Sequence, residues 1–259
     1  LRQFYLIRDN PMRLYSIFVW MVLEIILWGF ITKFLDSSAI SYAGFSFMSV
    51  FLGAVLLWNF LVRVGQGTMV PFLEDVWSRN FLNIFSSPIK ISEYIFGLIL
   101  TTVCTSIFSL LIVALLANIT FGLDVLIFGI YLVPFLAILF LFGIAFGIFT
   151  ITIMLIYGPS SEWFVWTIPV LMAPFVGVFY PISTLPDWMQ YISTILPPTY
   201  VFDGMRAVIA GSLFPSSTLV LGLTLSLIYT ILMYLIFSKT YSIAIRKGLI
   251  FRQSAETSD

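Results

Sequence analysis

No histidine occurs in this chain, cysteine appears once, and only 9% of the 259 residues carry charge. Each shortage excludes a class of function. Without histidine there is no Ser-His-Asp triad and no imidazole-bound metal. Cys104 has no partner for an internal disulfide, and its place inside an apolar run predicts a small buried residue. No Gly-Lys dipeptide occurs, so the GxxxxGK[ST] phosphate loop is missing, and any ATP hydrolysis must come from another chain. The 12 basic residues balance the 12 acidic ones, which leaves no overall basic footprint for nucleic acid. Soluble domains are about 25% charged, and this chain falls far short of that.

Apolar residues fill the gap. They make up 61% of the sequence, the mean hydropathy is +1.09, and they come in long runs without the period-two alternation of a membrane barrel. The expected fold is all-α and integral to the membrane. A helix needs about 20 apolar residues to cross the ~30 Å hydrocarbon layer, and six segments meet that requirement: 14–35, 41–62, 92–117, 125–156, 163–182 and 218–238. The expected organisation is an N-terminal interfacial segment over 1–13 and a single six-span domain over 14–259.

Lysine and arginine set the expected orientation. With the N-terminus inside, Arg2, Arg8, Arg13, Arg63, Arg79, Lys90, Lys239, Arg246, Lys247 and Arg252 fall on the cytoplasmic side, and only Lys33 and Arg206 outside. Both termini are then cytoplasmic, as is the polar tail 239–259.

Three further segments are too polar or too broken to span. Residues 1–13, LRQFYLIRDNPMR, mix apolar and aromatic residues with three arginines, the pattern of a helix lying along the inner leaflet. Residues 72–87, FLEDVWSRNFLNIFSS, place Leu73, Trp77, Phe81 and Ile84 on one helical face and Glu74, Asp75, Ser78 and Arg79 on the other. With Pro71 before it and Pro88 after it, this reads as a separate amphipathic helix on the cytoplasmic side. Residues 180–211 carry Pro181, Pro186, Pro197 and Pro198. The prolines divide them into two short pieces, near 185–196 and 198–210, each too short to cross a bilayer. Thr184 and Asp187 form a capping-box-like start, and Trp188, Ile192 and Ile195 share a face. Such a pair must dip in and return on the same side, covered by protein: a re-entrant outer hairpin over 184–210.

These features together resemble the permease subunit of ABC-2-type exporters. The residues that carry the resemblance are SSPI at 86–89 and, in the outer segment, Pro181, Leu185, Pro186, Pro198, Thr199, Tyr200, Asp203 and Arg206. The style is closer to the drug-exporter and nodulation-factor-exporter branch than to the O-antigen and teichoic-acid branch. The resemblance implies a homodimer of permeases in the inner membrane of a bacterial cell, served by two copies of a separate ATPase that binds ATP and Mg. No cofactor is expected in this chain. Residues 72–87 become the coupling helix, with Glu74, Asp75, Trp77, Arg79 and Phe81 at the ATPase. The hairpin becomes an outer gate built from Pro186, Trp188, Pro197, Pro198, Asp203 and Arg206.

Three polar residues stand out inside this apolar frame. Glu24 lies mid-span, where a carboxylate costs about 2.5–3.5 kcal/mol on insertion scales, so it is expected to face the bundle interior or to be protonated. Asp203 and Arg206 are three apart and positioned to pair on one helical face. The expected cargo is a hydrophobic or amphipathic molecule, drug-like or lipid, moved outward. A lipid-linked polysaccharide is the alternative cargo, and a secondary transporter or channel the alternative class. The motif GIAFG at 143–147 is compatible with close helix packing.

Overall fold

The computed structural model describes residues 11–38, 47–78, 90–158, 161–212 and 214–246. Of the expected interfacial segment 1–13, residues 1–10 lie outside these residues and 11–13 belong to the first helix; most of the C-terminal tail also lies outside. Eight α-helices run through them: α1 (Pro11–Ser38), α2 (Phe47–Trp77), α3 (Ile91–Phe121), α4 (Leu132–Tyr157), α5 (Glu162–Val176), α6 (Asp187–Ile195), α7 (Pro197–Ile209) and α8 (Ser216–Arg246). A 3-10 stretch, Val125–Tyr131, leads into α4, and a shorter one, Ile182–Thr184, precedes α6.

Four stretches among the described residues are long and apolar enough to cross a membrane: Met48–Asp75, Ile91–Phe121, Val125–Tyr157 and Ser216–Arg246. The chain is a multi-pass helical membrane protein. Helix α1 has 28 residues, whereas α5 has only 15 and stops well short of residue 182. Gly177 ends it, with φ of 66° in the left-handed region that a side chain would strain.

Helix α2 is the centre of the bundle. It packs against α1, α3 and α4, and α8 packs on the far side of α4. Most residues from Leu52 to Leu61 are buried, while α3 and α8 leave apolar stripes such as Leu100, Leu111 and Leu115 or Leu227, Ile231 and Leu235 facing outward. These stripes are the lipid-facing surface. Cys104 belongs to that surface: it is exposed rather than buried, because Thr102, Ser106 and Ser109 take the inward positions of α3.

The α2–α4 contact explains GIAFG. A methyl group on Gly147 would stand 2.8 Å from the carbonyl oxygen of Gly65, and one on Gly143 would stand 3.1 Å from that of Leu61. The glycines let two backbones approach where any side chain would hold them apart.

Helix α2 also corrects the expected cytoplasmic helix. Residues 72–77 are not a separate element but the last turns of α2, which runs through Pro71. Proline removes one backbone donor, yet Phe72 and Leu73 are fully buried, and that burial keeps the chain helical. The remainder, 79–89, with Arg79 and Phe81, lies outside the described residues.

Candidate functional site

Extending α2 to Trp77 moves Arg63 from a loop flank to the middle of a helix. The residues Asn59, Arg63 and Gln66 then form a stripe at helical spacing on one face of α2, and all three line a cavity of about 650 Å³. That is within the ~300–1,000 Å³ of small-molecule sites. Helix α1 contributes Met21 and Glu24, α4 contributes Phe146, and α5 contributes Trp166, Pro169 and Val170. Trp58, from α2, adds a second indole.

The polar groups of this cavity are under-satisfied. Glu24 is half-buried, and its carboxylate lies beside the Asn59 side chain and the Trp28 indole. Asn59 Nδ2 nevertheless has no well-formed hydrogen bond, and Arg63 Nε has none. Glu24 and Arg63 share the cavity, and no ion pair joins them. Ser106 Oγ and Ser109 Oγ also lack partners and face a small void behind Arg63. Buried donors and acceptors are ordinarily paired, so this concentration marks a place made to meet something polar.

The proline-rich segment 181–211 adjoins the cavity through two of its walls. Phe202, fully buried in α7, packs its ring 6.3 Å from that of Trp58. Arg206 Nη1 donates to the carbonyl of Gly177 at 2.8 Å, capping the end of α5, and Arg206 Nη2 pairs with Asp203 Oδ1 at 2.6 Å. Ser193 of α6 donates to the Phe175 carbonyl. Trp188 meets Phe175 edge-on at 6.1 Å. The segment is therefore tied to α2 and α5, the helices that carry Trp58 and Trp166.

Its local build differs in detail from expectation. Pro186, not Thr184, occupies the N-cap of α6, and no side chain caps it. The Thr184 hydroxyl instead donates back to the Pro181 carbonyl at 2.7 Å. Pro197 and Pro198 open α7 at N1 and N2, where a missing N–H costs nothing, and both are buried. Helix α6 does carry Trp188, Ile192 and Ile195 on one face, but that face is exposed, as is Tyr191.

At the opposite end of α2, the expected outward-facing acids are placed differently. Asp75 is buried, with 1% of its surface exposed, and it accepts a hydrogen bond from the Tyr94 hydroxyl. Glu74 is half-buried, its carbonyl accepting from the Ser78 N–H, and Trp77 is the last residue of the helix. Glu24 was legible as a buried acid. Arg63 was not, although its spacing from Asn59 and Gln66 is the signal that would have placed it with them.

Residues 3–210 match the family model described as ABC-2 type transporter, which takes in every element above except α8. No curated protein matches the chain.

Proposed function

The chain belongs to the ABC-2 type transporter family, and we propose that it is the permease half of an ATP-driven exporter of amphipathic molecules. As a family member it is the membrane subunit of an ABC transporter. The remaining assignments are part of the proposal: outward transport, six crossings with both termini in the cytoplasm, two permease copies in the complex, and two ATPase copies that bind ATP and Mg while this chain binds no cofactor.

One observation carries the reading. A mid-bundle cavity with apolar walls and a few unpartnered polar groups adjoins, through Trp58 and α5, a segment of short broken helices. A path that holds a cargo behind a movable cover needs both parts. Residues 184–210 act as the outer gate, with the Asp203–Arg206 pair holding α7 in register. The exposed apolar face of α6 suits contact with the second permease copy. The connection between α2 and α3 couples the bundle to the ATPase, and Asp75 acts inside its base rather than on its surface.

Reconstitution with an ATPase subunit tests the proposal. ATP-dependent accumulation of a fluorescent amphiphile inside inverted proteoliposomes is the expected result. ATPase stimulation compared across drug-like amphiphiles, lipids and lipid-linked glycans separates the cargo classes. Transport driven by an ion gradient without ATP would overturn the reading in favour of a secondary transporter.

A further inference from the structure

We propose that the cavity between α1, α2, α4 and α5 selects zwitterionic amphiphiles, with Glu24 reading the cationic part of a headgroup and Arg63 the anionic part. The proposal deepens the exporter reading and rests on it for the direction of movement, but not for binding.

The cavity holds one residue of each charge, and the two are not in ion-pair contact. A buried charge left unmatched costs several kcal/mol, and an attraction repays that only with good geometry. A purely cationic ligand would meet Glu24 and leave Arg63 uncompensated. A purely anionic one would do the reverse. A neutral ligand would match neither. Only a ligand carrying both charges meets both.

The surroundings agree with each half. Trp58 and Trp166 line the cavity with Glu24, and indole faces attract ammonium groups when water is excluded. The Asn59 side chain lies beside Glu24, but Arg63 has an unpartnered Nε and Gln66 follows it on the same stripe. Together Arg63 and Gln66 offer donors for a phosphate or carboxylate, which a guanidinium binds in its plane. Met21, Val62, Met69 and Phe146 leave apolar wall for the hydrocarbon.

The test uses the permease–ATPase complex in nanodiscs and four radiolabelled amphiphiles of one chain length, below their micelle thresholds: an alkylphosphocholine, an alkyl phosphate, an alkyltrimethylammonium and an alkyl maltoside. Equilibrium binding without ATP is expected to favour the phosphocholine by about tenfold or more, less than a fully buried unmatched charge would give because Glu24 is only half-buried. Glu24→Gln should move the preference to the alkyl phosphate, and Arg63→Gln to the alkyltrimethylammonium. Equal binding of all four by the unaltered protein overturns the proposal, a result that needs no variant to fold. So does a uniform loss of all four ligands in both monodisperse variants, which would mean that the charges hold the bundle together. Competition by a phosphatidylcholine bilayer, absent with phosphatidylglycerol, identifies a membrane lipid as the source. Selectivity without such competition identifies a soluble amphiphile. Headgroup-selective binding without ATP-driven translocation would sink the exporter reading and leave this one standing.

Discussion

The hydroxyl of Tyr94 donates a 2.8 Å hydrogen bond to Oδ2 of Asp75, joining the last turn of α2 to the first turn of α3. The Tyr94 ring also lies edge-on to Phe72, 6.5 Å away, and Glu93 accepts from the backbone N–H of Lys90. The connection between these helices therefore leaves and returns through one clasp. If the connection couples the bundle to an ATPase as proposed, force arriving on it would reach α2 and α3 together.

Tyr94→Phe removes one hydrogen bond from a buried carboxylate. A hydrogen bond to a charged group contributes about 1.5–3 kcal/mol. The variant should lower the Tm of the reconstituted complex and reduce transport per ATP hydrolysed. A Tyr94→Phe protein with unchanged Tm and unchanged coupling would show that the clasp does neither job.

Gly147→Val should prevent tight association of α2 and α4, because even its Cβ would press on the Gly65 carbonyl. Overpacking of this kind typically costs about 1–3 kcal/mol. Gly97→Ala is the matched control, since nothing lies within 4 Å of its added methyl. Size-exclusion profiles and thermal melts in mild detergent should separate the two. Equal melting temperatures would contradict the close approach.

Arg206→Ala should be as harmful as its combination with Asp203→Ala. A desolvated pair would make the single change worse, because one charge stays buried. Here Asp203 is 40% exposed and Arg206 only 14%, so an orphaned Asp203 can hydrate. What both variants lose is the Arg206 bond to Gly177 at the end of α5. Asp203→Ala alone should be the mildest of the three in export and in Tm. If it proves the most damaging, the carboxylate has a role beyond holding the arginine.

Cross-linking tests the gate. In a background lacking Cys104, cysteines replacing Gly53 on α2 and Met205 on α7 would be near neighbours, since a Cβ on Gly53 would stand 3.5 Å from the Met205 sulfur. A short reducible thiol cross-linker should stop export, and reductant should restore it. Export that continues through a confirmed cross-link would make this segment a fixed cover.

Much of this arrangement can be read from residues alone. Scarce charge and long apolar runs place the chain in a membrane as helices, and α3 falls within a few residues of its expected span. The prolines at 181, 186, 197 and 198 mark the short helices α6 and α7, and Asp203 pairs with Arg206 as spacing suggests. What escapes is set by packing between distant segments. Pro71 reads as a helix boundary until Phe72 and Leu73 find a core to fill. Arg63 reads as a positive flank until that continuation carries it inward. Cys104 reads as buried because an apolar run does not reveal which of its faces meets lipid. The early end of α5 was signalled by Gly177, but the arginine that caps it lies 29 residues away.

Helix α4 has two occupied sides, and they are completed at different times during synthesis. The glycine side receives α2, which is made earlier. The other side waits for α8, whose Thr230 donates to the Leu141 carbonyl at 2.9 Å and whose Gly222 lies against Ile138 and Tyr200. Until α8 enters the bilayer, that side of α4 and the first turn of α7 lack the helix they pack against. A chain stopped before residue 216 would carry an open α4 face, the kind of surface that insertion machinery and membrane proteases would meet.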